Sequence, residues 1–332
     1  MNRSRLTNMD VLIRTDASVE IGSGHVMRCL MIAELLRDHG CVVTFMMELL
    51  PGNLIEFVKA KGFSVVQEFK PAEICIIDHY AIDETWERSI RSEVKKIVVV
   101  DDLANRYHHC DVLIDQNMVP DLERRYDFLV PEHCVRLLGP RYLIMRGEFI
   151  RERQSAKVRD GNIERLLIFM GGSDPTNETM KVLAAMDDVK FHRVDVVVGA
   201  SNEMKADIEK LCAGSGYTFH CQIDYMATLM GKADFSIGAG GSTTWERCYV
   251  GLPSSSTVVA DNQLIATETA ASLGAVWNLG WHKEVTVDTY KEFIQSLRTR
   301  RDEWKNMSER GIELTQSERP NPWVDTIMEL ME

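Results

Sequence analysis

Short apolar runs alternate with longer segments of helical periodicity through most of the chain. In the first half the runs are VLIRT at 11–15, CVVTFMM at 41–47, EICIID at 73–78 and KIVVVDD at 96–102. Between them the pattern predicts helices from about His25 to His39, closed by Gly40, over NLIEFVKAKG at 53–62 and over DETWERSIRSEV at 83–94. A second series follows, with RLLIFM at 165–170, RVDVVVG at 193–199, ADFSIG at 233–238 and SSSTVVA at 254–260. Runs this short and β-branched read as strands buried on both faces, and their alternation with helices predicts parallel sheets. The stretch RGEFIRERQSAKVRDGNIE at 146–164 is charged and poor in large apolar residues, which marks it as an inter-domain linker. The expectation is an α/β protein of two Rossmann-like domains, residues 1–150 and 151–332, facing a cleft. Ligands in such sheets bind at the carboxyl ends of the strands, so candidate chemistry is sought there.

Composition narrows the partners. Of the 332 residues 45% are hydrophobic, enough for two sizeable cores. The 38 basic and 50 acidic residues leave a formal charge of −12, which disfavours nucleic-acid binding, since that runs on phosphate neutralisation by Lys and Arg. A small anion is not excluded, because helix-start amides bind one without lysine. The eight cysteines form no C-x-x-C pair and several lie in apolar runs, so free thiols and a cytoplasmic setting are expected. The segment MNRSRLTNMD has no apolar stretch behind it, and no run approaches the roughly 18–20 apolar residues of a membrane span. A monomer is expected, because each sheet has helices of its own for both faces.

Three glycine-rich turns follow predicted strands: DASVEIGSGH with Gly22 and Gly24, MGGSDPTNET with Gly171, Gly172 and Ser173, and IGAGGSTTWE with Gly240, Gly241, Ser242 and Thr243. Each joins a strand to a helix start, where free N–H groups and the helix dipole favour negative charge. Together they suit a diphosphate. None matches G-x-G-x-x-G, and none contains G-K-[ST]. Glu246, three residues past Thr243, either accepts ribose hydroxyls or pairs with the helix dipole; spacing alone leaves both open. In ADNQ, Asp261 is a candidate cap for the next helix, which leaves Asn262 and Gln263 to face a ligand.

His25 stands on the first turn of its helix. That position disfavours an imidazolium, so the ring is expected neutral and able to accept a proton, and Arg28 on the same face adds to the effect. A neutral imidazole over an anion-binding turn is arranged as a general base. Asp78, His79 and Tyr80 cluster at the end of the run 73–78. RYHHCD at 106–111 hints at a metal, but no His or carboxylate recurs at ligand spacing, and no metal or other cofactor is expected.

At these residues the sequence resembles the UDP-sugar hydrolases of pseudaminic acid biosynthesis. The matching blocks are RTDASVEIGSGHVMRCL, DHYAID, VVDDLANRYHHCDVLIDQN, LLGPRYLIMRGEF, MGGSDPTNET and GAGGSTTWERCYVGLP…ADNQ, in order over about residues 14–263. The resemblance implies the two-domain fold of type B glycosyltransferases, similar to the MurG glucosaminyltransferase. It implies a substrate, a UDP-linked 2,4-diacetamido-2,4,6-trideoxy-β-L-altropyranose, hydrolysed without a metal to UDP and the free sugar by inverting attack of water at the anomeric carbon. His25 matches the catalytic base and Glu246 the residue on the ribose. Gly240–Thr243 and Gly171–Ser173 match the nucleotide turns, and Tyr80 and Asn262 fall in the sugar and phosphate region. Arg14, Gly22, Gly24 and Gln263 lie in the matched blocks as further substrate-binding positions. One departure is PSSSTVV at 253–259, more polar than the aliphatic strand expected of relatives. Three rivals share the pattern: a glycosyltransferase of the same fold acting on a UDP-amino sugar, a UDP-GlcNAc 2-epimerase, and a non-catalytic nucleotide-sugar sensor in which His25 has no task.

Overall fold

In a computed structural model, which describes residues 8–186 and 189–331, every predicted strand forms, and each series closes into its own sheet with all pairs parallel. Most of the polar N-terminal stretch lies outside the described residues. The first unit contains β1 (Asp10–Thr15), α1 (Gly24–Asp38), β2 (Val42–Met46), α2 (Ile55–Ala60), β3 (Ser64–Val66), β4 (Ala72–Asp78), α3 (Glu84–Ile90), β5 (Val94–Val100), β6 (Val112–Asp115) and β7 (Val135–Leu138). Its strand order is 3-2-1-4-5-6-7. Alternate residues of β1 enter different cores, as a strand covered on both faces requires. Val11 and Ile13 pack with Val26, Cys29, Ala33 and Leu36 of α1, whereas Leu12 packs with Cys75, Ile97 and Leu113 on the opposite face.

The second unit contains α4 (Gly147–Ser155), β8 (Arg165–Phe169), α5 (Glu178–Ala185), β9 (Arg193–Val198), α6 (Lys205–Ser215), β10 (Thr218–Cys221), α7 (Met226–Lys232), β11 (Phe235–Ala239), α8 (Ser242–Tyr249), β12 (Ser254–Val258), α9 (Leu264–Ser272), β13 (Trp277–Trp281), α10 (Val287–Ser296) and α11 (Arg301–Leu314). Its order is 10-9-8-11-12-13. The core joins Ile168, Val196 and Ile237 of the sheet to Phe293 and Trp304 of α10 and α11, with Phe235 meeting Trp304 edge-on at 4.9 Å between centroids.

The chain divides differently from a single cut. The first unit takes residues up to Asn117, Asp121–Ile144 and the segment from Ser317 on, and the second takes Met118–Pro120 and Met145–Gln316. A last helix, α12 (Pro322–Glu329), therefore belongs to the first unit, where Trp323, Val324, Ile327 and Met328 join the same core as the buried face of α1. The stretch read as a linker is instead built into the second unit. α4 occupies half of it, Phe149 is buried, and Arg153 reaches the carbonyls of Tyr249 and Ile312. Arg159 likewise donates to the carbonyls of Met230, Gly231 and Val250. Arginine stems pack while their heads satisfy backbone oxygens, so a charged composition here does not mean a solvated tether. All eight cysteines are free thiols, and only Cys221 is exposed.

Candidate functional site

In a doubly wound sheet the first strand's two neighbours are reached by connections running over opposite faces, so a crevice opens at the carboxyl ends of the central pair. In the first unit that pair is β1 and β4. Arg14, Thr15 and Asp16 leave one strand there; Asp78, His79 and Tyr80 leave the other. α1 begins at Gly24 behind Ser23, so His25 falls in its first turn, the residue 7% exposed. Its Nδ1 lies 2.6 Å from Asp78 Oδ1. Arg28, one turn on, grips the same carboxylate with Nε on Oδ2 and Nη2 on Oδ1, both at 2.7 Å. Burial alone raises the Asp78 carboxyl, but the Arg28 charge, its hydrogen bonds and the His25 bond outweigh it and hold the group well below the usual carboxylate range. An ionised carboxylate only accepts, so the proton between the two sits on Nδ1, and the nitrogen with a lone pair to offer in the matching tautomer is Nε2. The Tyr80 ring packs edge-on against the imidazole at 4.4 Å, and its hydroxyl donates to Asp102 at 2.8 Å.

Arg28 shares the His25 face as expected, its Nη2 3.4 Å from His25 Nδ1, and its guanidinium is also committed to Asp78. Arg14 is buried and forks between Asp16 at 2.6 Å and Glu48 at 2.8 Å, while His79 Nε2 reaches Asp16 at 3.2 Å. Burial opposes the ionised form of Asp16, yet His79, the Glu48 amide and Arg14 together lower its pKa. Arg14 therefore braces the strand-end loop. Gly22, at φ +79°, needs glycine for its backbone; at Gly22 and Gly24 an added Cβ would meet nothing within 4 Å. Exposed Val19, Ile21, Met27 and Leu49 belong to the segments around this turn.

The central pair of the second unit is β8 and β11, and two of the glycine-rich turns leave its carboxyl ends. Gly171 and Gly241 take φ +93° and +94°, closed to most side chains. The Gly172 carbonyl accepts the Gly199 amide at 2.8 Å, which ties the turn after β8 to the end of β9. Gln263 lies over the other turn: its Oε1 accepts the Val259 amide at 3.1 Å, and a Cβ added at Gly240 would fall 3.0 Å from that same oxygen. Gly241 precedes α8, so Ser242 and Thr243 stand in the first turn. Glu246 follows, half-buried, and meets Arg146 Nη2 at 3.1 Å, while Nη1 of Arg146 holds Glu148 at 2.7 Å. Asp261 and Asn262 lie in a short 3-10 turn before α9; Asp261 does not cap that helix, whose cap position is Gln263.

The polar strand SSSTV finds its physical reason here. Every residue of β12 is buried, and Ser254 and Ser256 turn their hydroxyls to the fully buried Arg247 of α8. On the other face Thr257 bonds the Tyr290 hydroxyl, which donates to Glu178. Neither the Asp78 partner of His25 nor Arg247 was found from the sequence. An acidic residue ending a buried strand beside β1 was the available signal for the first. In RYHHCD, His108 is buried against Glu87 at 2.6 Å, and among the described residues no three His, Cys, Asp or Glu side chains are grouped to hold a metal. Among the described residues no helix is long and apolar enough to cross a membrane.

No family model matches the chain. It is 30% identical to an uncharacterised protein of Methanocaldococcus jannaschii over 74% of its own length, and spans 54%, about half, of that relative. It is 28% identical to the UDP-2,4-diacetamido-2,4,6-trideoxy-beta-L-altropyranose hydrolase of Campylobacter jejuni, over 61% of this chain and 74% of that protein. Among solved structures, Acinetobacter baumannii MurG superposes with a TM-score of 0.64 at 14% identity, over 97% of this chain and 99% of its own. The chain is therefore similar in sequence to the UDP-sugar hydrolase that its motifs resemble, and its two parallel α/β sheets have the GT-B fold of MurG.

Proposed function

We propose that the chain hydrolyses a UDP-linked 2,4-diacetamido-2,4,6-trideoxy-β-L-altropyranose to UDP and the free sugar, with His25 as general base. The observation that carries this reading is the His25–Asp78–Arg28 arrangement, which leaves Nε2 as the basic atom and fixes the ring from behind. Such a base contributes about 10²–10⁴-fold by taking the proton of water as it attacks C1. UDP already leaves readily, so a general acid is less needed than for an ordinary glycoside, and amides at Gly171–Ser173 and Gly240–Thr243 stabilise the charge growing on the β-phosphate. Attack opposite the leaving group inverts the anomeric centre. In this reading Glu246 takes the ribose, while Tyr80, Asn262 and Gln263 line the sugar and phosphates.

The test is turnover in ¹⁸O-water, reading both products by mass, for the native chain, His25→Ala and Asp78→Asn. Expected are label in the sugar, loss of turnover by about 10²–10⁴-fold in His25→Ala and a drop of about 10²-fold or more in Asp78→Asn. Label in UDP would mean attack at phosphorus and would sink the mechanism. UDP affinity lost in His25→Ala would instead make the histidine a binding residue. A sugar transferase is the second reading, favoured by the exposed Val19 (82%) and Leu49 (72%), an apolar rim of the kind an acceptor would use. It predicts no turnover until an apolar acceptor is added.

A further inference from the structure

Arg247 occupies α8 one residue after Glu246 and is 0% exposed. A buried guanidinium ordinarily faces a carboxylate. This one faces neutral oxygens: Ser254 Oγ at 3.0 Å from Nε, and Ala239 O, Thr244 Oγ1 and Ser256 Oγ at 3.0, 3.1 and 2.9 Å from Nη2. Its sequence neighbour Glu246 is engaged by Arg146. Burial pulls the guanidinium pKa down to about 10, which still leaves it charged at neutral pH. Nη1 has no hydrogen-bond partner. It lies over Gly238, where an added Cβ would collide with it while standing 3.0 Å from the Phe169 carbonyl. Phe169 and Ala239 end β8 and β11, the two strands that feed the turns Gly171–Ser173 and Gly240–Thr243. The unsatisfied end of a buried cation thus stands behind both.

We propose that Arg247 is a positioning residue for a nucleoside diphosphate, supplying from beneath the two glycine-rich turns the positive charge that the phosphates complete. The proposal rests on the nucleotide-binding reading above. Its hydrogen bonds pin the turn at Ala239 and the helix start at Thr244, so the amides of Ser242 and Thr243 are held in place before any ligand arrives. Its charge, hydrogen-bonded to no carboxylate and set in a low-dielectric interior, reaches the phosphates with little screening. The serines of β12 follow from this: hydroxyls satisfy the guanidinium without neutralising it.

The experiment is calorimetric titration of the full chain with UDP and with uridine, for the native protein, Arg247→Met and Arg247→Lys. Expected is a loss of about tenfold or more in UDP affinity for Arg247→Met, with UDP affinity in Arg247→Lys retained to within about threefold and uridine affinity unchanged in both. UDP and uridine weakening together would make Arg247 merely structural and overturn the proposal, as would UDP affinity unchanged in Arg247→Met. If Arg247→Met does not fold, Gly238→Ala, whose Cβ displaces Nη1, is read by the same ratio; an unchanged preference for UDP over uridine overturns the proposal. Absence of both ligands from the native protein would fail the nucleotide-binding reading itself, a different outcome from either.

Discussion

Asp115 and Asp78 end two strands of one sheet, both buried, and their carboxyls are driven in opposite directions. Asp78 receives two aligned bonds from Arg28. Asp115 faces Arg125 Nε at 3.2 Å without hydrogen-bond alignment, and shares the single Tyr126 hydroxyl with Asp101, at 3.1 and 3.0 Å. Burial, with the Asp102 charge added, raises Asp115 to about 6 despite the pull of Arg125 and the Asn117 amide. Its folded pKa lies above the unfolded one. The associated stability is therefore complete below about pH 4 and lost as pH rises through 6, about 3 kcal/mol at most. Asp115→Asn should remove that slope: the stability of the variant minus that of the native chain should grow from pH 4 to 6 and then level off. Urea titrations at stepped pH would check this, and a flat difference would mean that folding does not raise the Asp115 carboxyl. At this scale the position of His25 in the first turn of α1 was legible in the sequence, because a helix start is a local pattern. Asp78 stood out as a titratable group at a strand end, but not as the partner of His25, 53 residues away, because that pairing exists only once β4 lies beside β1.

Among elements, the turns were legible and their mutual support was not. Glycine between a buried strand and a helix start marks a close backbone approach, but nothing local says that the turn after β8 leans on the end of β9. A Cβ at Gly199 would fall 2.6 Å from the Gly172 carbonyl oxygen and 2.8 Å from its Cα, both unyielding backbone. A Cβ at Gly172 would meet only Gly199 Cα, at 3.9 Å. Gly199→Ala should therefore lose about 1–3 kcal/mol and weaken UDP binding, whereas Gly172→Ala should leave stability nearly unchanged. Thermal denaturation with and without UDP separates the two, and equal effects would deny the contact its role. The strands missed in the sequence were β3, β6, β7, β10 and β13. β3, β10 and β13 are short and only partly buried, so period and hydrophobicity say little there; β6 is buried but four residues long. β12 was found in spite of its serines, and only the fold explains them, because Arg247 comes from a different element.

At the scale of the molecule, two doubly wound sheets followed from strand–helix alternation, since parallel strands need crossover helices on both faces. The path of the chain between them did not follow. Nothing in the composition of the last segment says that Trp323 belongs with residues near the beginning, 0% exposed in the core of the first unit. Trp323→Ala should cost about 3–5 kcal/mol, all of it in the unfolding of the first unit. Denaturant unfolding followed by hydrogen exchange would assign the loss. Protection lost instead from β8, β11 and β12 would place the helix with the wrong sheet.

That returning helix has a consequence for synthesis. The second unit is almost wholly contiguous in the chain, but the core of the first contains side chains that are translated after it. Domains usually acquire their structure in the order they leave the ribosome. Here the later-made half has all its own sheet and can settle first, while the earlier-made half waits with part of its core unfilled until α12 emerges.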